Sequence, residues 1–181
     1  FSDVTDPKTR DGHGGFGPAT NFPANGAAAM ESGDFDGDRR SDLAITNTVD
    51  ASVSILFGDG KGGFRRLSNF VLPTAPSALV VGDFDGDRSL DIVVTLPARG
   101  AVGVLVGNGA GELRLAGTVS LGFTPAGVLR AGDFNGDTKL DLVISGPGLG
   151  GASVALGDGK GGFSVPAAVG IGVQGITTAV G

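Results

Sequence analysis

Three nine-residue stretches constrain this chain more than anything else in it. They read DFDGDRRSD at 34–42, DFDGDRSLD at 83–91 and DFNGDTKLD at 133–141. Each places side-chain oxygens at positions 1, 3, 5 and 9 and a glycine at position 4. Packing only oxygen ligands so densely suits a hard cation. Calcium fits best, since it accepts about six to eight oxygens in a flexible geometry. The expected ligands in the first loop are Asp34, Asp36, Asp38 and Asp42 with the carbonyl of Arg40. In the second they are Asp83, Asp85, Asp87 and Asp91 with the carbonyl of Ser89, and in the third Asp133, Asn135, Asp137 and Asp141 with the carbonyl of Lys139. About three ions are expected, one per loop. Gly37, Gly86 and Gly136 supply the positive φ that turns alternate side chains inward. Asp-Gly turns between strands are common, but that alone does not produce three copies with one ligand spacing. An EF-hand is excluded, because its glycine falls at position 6 and its glutamate at position 12, where this chain has Ile45.

The loops mark a repeat. Gly33, Gly82 and Gly132, each just before a loop, are spaced 49 and 50 apart. A second landmark recurs out of phase: DGHGGF at 11–16, DGKGGF at 59–64, NGAGEL at 108–113 and DGKGGF at 158–163. Two independent markers agree on the period. Within one period the pattern predicts four strands; for the middle unit these are 65–71, 77–81, 90–96 and 102–106. Short apolar runs such as LDIVVTL, bounded by turn residues, suit strands buried on both faces. Thirty-five glycines and nine prolines favour many short strands over helices. Four strands per roughly 50 residues, repeated radially, describe an all-β propeller of four-stranded antiparallel blades. The expected organisation is one partial propeller over 1–181, with units at 17–64, 65–113 and 114–163 and partial blades at 1–16 and 164–181. WD40 blades would need a Trp-Asp signature, and there is no Trp; calcium-binding β-rolls repeat every nine residues rather than fifty.

The sequences DFDGDRRSDLAI, DFDGDRSLDIVV and DFNGDTKLDLVI, followed by ILFGDGKGGF, VLVGNGAGEL and VALGDGKGGF, resemble FG-GAP/VCBS repeats, the blades of integrin-α-type propellers and many bacterial surface proteins. Only residues 1–10 fall outside the resemblance. It implies a seven-bladed ring with calcium in the hairpin between the first two strands of each blade. About three and a half blades are present, and Gly181 aligns with the residue before another loop. The remaining blades are expected either from further chain or from a second copy, the former being favoured.

A net charge of −6 argues against binding a phosphate backbone. The acidity is local, since the three loops hold eleven of the nineteen acidic residues and three calcium ions would bring the chain near neutrality. There is no cysteine, hence no disulfide framework or thiol chemistry. No run is long enough for a membrane span. Calcium loops of extracellular modules bind at about 10⁻⁴–10⁻³ M, which saturates only outside the cytosol, so an exported, cell-surface or periplasmic location is expected.

G-x-G-x-x-G occurs at 58–63, 146–151 and 157–162. A dinucleotide site would need it to open a helix after a strand, whereas these copies lie between strands. His13 takes the place of Lys61 and Lys160 in the repeat and reads as a turn residue. With no partner for a catalytic serine, and with carboxylates committed to metal, no enzyme is expected. Phe35, Phe84 and Phe134 are repeat-equivalent, as are Phe16, Phe64 and Phe163, and Phe22 with Phe70; they read as inter-blade core. The expected function is a non-enzymatic, calcium-stabilised scaffold for protein binding, adhesion or assembly. Its ligand loops would lie at 47–52, 97–101 and 146–151. A glycan-binding lectin and an accessory part of a larger surface complex or enzyme are the alternatives.

Overall fold

A computed structural model of the chain describes residues 22, 24–146, 152–164 and 167–169. They form twelve strands: β1 (Ala27–Gly33), β2 (Asp42–Asn47), β3 (Ser52–Gly58), β4 (Phe64–Val71), β5 (Leu79–Gly82), β6 (Asp91–Leu96), β7 (Ala101–Gly107), β8 (Leu113–Ser120), β9 (Leu129–Gly132), β10 (Asp141–Ser145), β11 (Ala152–Ala155) and β12 (Ala167–Val169). A 3₁₀ turn, Pro97–Arg99, joins β6 to β7. Hydrogen bonding groups the strands into three antiparallel sheets in simple order, β1 to β4, β5 to β8 and β9 to β12. These are three blades of a β-propeller. The first strands β1, β5 and β9 approach one another across successive blades, which puts them on the side where the blades converge.

Period-2 alternation explains the stacking. Every residue of β6 is buried, and in β7 all but Gly107. One set of alternate side chains, Ile92, Val94, Leu96 and Leu105, packs on blade 1 through Ala44, Val53, Ile55 and Phe57. The other set, Val93, Val102, Val104 and Val106, packs on blade 3 through Leu129, Leu142, Ile144 and Ala155. A β-branched run with no polar face is therefore what a blade between two blades requires. Each fully buried Val, Leu or Ile contributes about 1.5–3 kcal/mol relative to exposure. The fourth strands β4 and β8 alternate between half-buried and exposed positions, as outer strands do.

The strands and period match the sequence reading, but the blades are cut at a different point. Residues 65–71, expected as an outer, more polar strand of the middle unit, are an outer strand, β4, but they pair with β3 of blade 1, Ile55 opposite Ser68 and Leu56 opposite Leu67. The units 17–64 and 65–113 therefore divide a hydrogen-bonded sheet between β3 and β4. A repeat fixes a period but not an origin. The tight GDGKGGF turn decides the matter, since it pairs Gly58 with Phe64 and makes β3 and β4 a local hairpin. In the observed phase each nine-residue loop joins the first two strands of its blade. The partial unit 1–16, with His13 and Phe16, lies outside the described residues, as does most of the loop 146–151 and of the unit after residue 164.

Candidate metal centre

Each loop is a stack of side-chain to backbone bonds built on its acidic positions. At position 1, Asp34 Oδ1 accepts the N–H of Gly37 (2.8 Å) and of Asp38 (3.1 Å), and Oδ2 that of Arg39 (2.8 Å). Asp133 repeats the pattern with Gly136, Asp137 and Thr138, and Asp83 with Gly86 and Arg88. At position 5, Asp38, Asp87 and Asp137 accept the N–H of Arg40, Ser89 and Lys139 at 2.9, 2.6 and 3.0 Å. The sequence reading assigned positive φ to position 4, and Gly37, Gly86 and Gly136 have it (75°, 83° and 81°). Position 6 shares it without being glycine: Arg39, Arg88 and Thr138 stand at 64°, 73° and 69°. Side chains rarely take this conformation, so each loop carries local backbone strain.

Position 9 does more than offer a ligand. Asp42, Asp91 and Asp141 are buried at the starts of β2, β6 and β10. In each, Oδ2 accepts the N–H of the loop phenylalanine, Phe35, Phe84 or Phe134 (2.8–2.9 Å). Oδ1 accepts the N–H of Gly58 or Gly107 at the end of the third strand, or of Gly157 just beyond it, again at 2.8–2.9 Å. One carboxylate thus clamps the loop to the neighbouring hairpin. A side chain at those glycines is excluded, because its Cβ would land on the carbonyl oxygens of Ser41, Leu90 and Leu140. The clamp was not read from the sequence, although its signal is there: the Asp-to-Gly separation is 16 residues in all three blades.

Carboxylates converge as a metal requires in two of the loops. Ligand atoms of Asp34, Asp36 and Asp42 lie within 4.8 Å of one another, as do those of Asp83, Asp85 and Asp91. In the third loop Asn135 stands at position 3, leaving a less charged set with Asp133 and Asp141. Asp38 and Asp87 stand outside the two groups. Asp38 faces Arg40 (3.4 Å) and the Arg65 guanidinium, which also bonds Asp36 Oδ2 at 2.8 Å. Three carboxylates this close repel one another unless a cation lies between them, and an all-oxygen donor set of this kind suits calcium rather than a softer metal. The residues present therefore fit the ion.

Electrostatics follow from burial. Loss of water pushes the Asp42 and Asp91 carboxyls above the usual carboxylate range, more than their backbone N–H donors pull them down, and neighbouring Asp36 and Asp85 add to the rise. Asp133 is held below it, first by the Thr138 N–H. The G-x-G-x-x-G stretches at 58–63 and 157–162 are hairpin turns. Asp59 and Asp158 accept the N–H groups of Lys61 and Gly63, and of Lys160 and Gly162, and strands rather than a helix follow. Phe35 and Phe84 are inter-blade core, each 3% exposed; Phe134, their repeat equivalent, is 52% exposed.

A family model described as FG-GAP-like repeat matches the chain twice, over residues 34–94 and 83–144. Among curated protein sequences none matches. A crystal structure of BBS1N in complex with ARL6DN, soaked with lead, is similar in fold, with a TM-score of 0.52 and 17% identity. The similarity covers 83% of this chain but 42% of that one, so the chain spans less than half the length of this neighbour. Three meander blades, a ligand-rich loop in the first hairpin of each and the twofold match of the family model lead to one conclusion. The chain belongs to the FG-GAP-like repeat family.

Proposed function

We propose that this chain is a non-enzymatic, calcium-stabilised propeller scaffold of an exported or cell-surface protein, serving protein binding, adhesion or assembly. The observation that carries this reading is the convergence of Asp34, Asp36 and Asp42, and of Asp83, Asp85 and Asp91, in hairpins that hold the blades. Asp38 and the Arg40 carbonyl would complete the first set, and Asp87 and the Ser89 carbonyl the second. The third would be Asp133, Asn135, Asp137 and Asp141 with the Lys139 carbonyl. Calcium, when bound, supplies positive charge that offsets the repulsion among these groups. The chain's own residues do the rest: the position-1 carboxylates order the turn, and the position-9 carboxylates tie it to the third strand. Partners would meet the loops outside the repeat pattern, 47–52 and 97–101 among them.

A glycan-binding reading has one observation in its favour. A cavity of about 370 Å³ opens beside the 47–52 loop, lined by Asn25, Asn47, Asp50, Ser54, Leu67 and Asn69, amide, hydroxyl and carboxylate groups that suit a polyhydroxylated ligand. A glycan array separates it from the scaffold reading. The scaffold reading is tested by thermal melting with calcium and with chelator. Ions that bind only the folded state raise the melting temperature with free calcium. A shift of several degrees supports structural sites, and an unchanged curve removes them.

A further inference from the structure

The three loops share one spacing, but among the described blades only blade 1 aims a cation from its fourth strand into its loop. Phe64 pairs with Gly58 and Arg66 with Phe57, so Arg65 is an extra residue in a β-bulge of β4. A bulge leaves its extra residue out of the ladder and re-aims the side chain. Arg65 turns back along the hairpin. Its Nε donates to the Gly58 carbonyl (3.0 Å), and its Nη2 donates to Asp36 Oδ2 (2.8 Å) and to Asp38 Oδ2. Arg66 lies over the Phe57 ring, 4.0 Å from its centroid, with Nη2 4.0 Å from Asp36 Oδ2. Positive charge thus stands on the carboxylates of loop positions 3 and 5.

Blade 2 has an arginine at the same place in sequence and does not use it this way. Arg114 follows Leu113 as Arg65 follows Phe64. There the ladder runs unbroken, Gly107 with Leu113, Val106 with Arg114 and Leu105 with Leu115, and its register shifts only beyond Leu105. Without the bulge, Arg114 makes no ion pair among the described residues. The Asp85 and Asp87 carboxylates accept only backbone N–H groups of their own loop, Asp87 and Ser89. In blade 3 the matching residue is Ser164, whose Oγ accepts the Leu156 N–H at 2.8 Å. The difference therefore lies in strand register as well as in residue type.

Resting on the calcium reading of the loops, we propose that Arg65 sets the affinity of loop 1. It is a built-in counter-ion that holds Asp36 and Asp38 when metal is absent and must release them when calcium binds. Asp36 is the contested group: it converges with Asp34 and Asp42, and Arg65 holds its Oδ2. Asp38 has Oδ1 on the Arg40 N–H and Oδ2 on Arg65, which leaves it outside that group. Breaking two partly exposed ion pairs corresponds to about threefold to tenfold in affinity, so Arg65 raises by that factor the calcium concentration at which loop 1 fills.

The test is a calcium titration of the whole ¹⁵N-labelled chain followed by NMR. The amides of Gly37, Gly86 and Gly136 each donate to the position-1 carboxylate of their own loop, so each reports that loop alone. Arg65→Met keeps the apolar stem and removes the charge. It lowers the Gly37 midpoint by about threefold to tenfold, while Gly86 and Gly136 stay within about twofold of their native values. Arg114→Met is the control and moves the Gly86 midpoint by less than about twofold. Dispersion of the same spectra shows that each variant is folded. A folded Arg65→Met chain whose Gly37 midpoint is unchanged or higher overturns the proposal and, where Gly86 still responds, leaves the calcium reading standing. A Gly86 shift in Arg114→Met as large as the Gly37 shift in Arg65→Met also overturns it, since any nearby arginine would then serve. Three glycine amides that all ignore calcium in the native chain remove the calcium reading and the proposal with it.

Discussion

Replacing Asp91 by alanine separates the two roles of position 9. The Asp91 carboxylate is buried and accepts three backbone N–H groups, Phe84 at 2.8 Å, Gly107 at 2.9 Å and Asp85 at 3.2 Å. Asp91→Ala leaves the first two without a partner. A buried donor so orphaned costs about 1–3 kcal/mol, hence about 2–6 kcal/mol for the pair. Relief of the buried charge, which burial already disfavours, returns part of that. The expected net loss in chelator is about 2–4 kcal/mol, or about 4–16 °C in melting temperature for a chain of this size. Asp87→Ala is the control. That side chain is exposed and holds only the Ser89 N–H of its own loop, so in chelator it costs under about 1 kcal/mol. Urea unfolding followed by circular dichroism, with and without chelator, reads both. Equal losses for the two variants in chelator would refute the clamp and leave Asp91 a metal ligand alone.

Acidification should shrink the stabilisation by calcium. Burial raises the Asp42 and Asp91 carboxyls above their ordinary value of 3.8, so the folded, metal-free chain holds these protons to a higher pH than the unfolded chain does. Their contribution to the metal-free fold is greatest below 3.8 and is lost as pH rises through the raised values. Calcium needs the ionised groups and competes with those protons. The melting-temperature gain from calcium is therefore largest near neutrality and declines as pH falls toward the raised values; a gain constant with pH would contradict this. Leu140→Ala should cost about 1–3 kcal/mol, because Leu140 is half buried against the apolar cluster between blades 2 and 3 and its Cδ1 stands over Gly82; an unchanged unfolding midpoint would show that this contact adds nothing to stability.

Much of this architecture is legible in the sequence, because propeller blades are built from local elements. The loops, the 49–50 residue period and the strands around Ile92–Thr95 and Val102–Val106 follow from patterning that each blade repeats. The phase of the sheets is not legible in the same way. The loose alternation of Phe64–Val71 marks an outer strand, but not which blade it belongs to, and its pairing with Ser52–Gly58 decides that. The burial of repeat-equivalent phenylalanines holds for Phe35 and Phe84 and not for Phe134, since burial there depends on a neighbouring blade rather than on the residue. In the first two loops, oxygens at positions 1, 3 and 9 converge as spacing suggests, while Asp38 turns toward Arg40 and Arg65. Arg65 lies 29 residues from Asp36, on β4, and no local motif announces that contact.

If the three loops are calcium sites, the number of ions bound per chain shows it. Equilibrium dialysis against labelled calcium, over the range about 10⁻⁴–10⁻³ M where extracellular modules bind, gives that number. Three ions are expected, the weakest at the loop with Asn135, with the loss of one when Asp34 and Asp36 are both replaced by alanine. Less than one ion per folded chain, or three ions in that double variant, would contradict it.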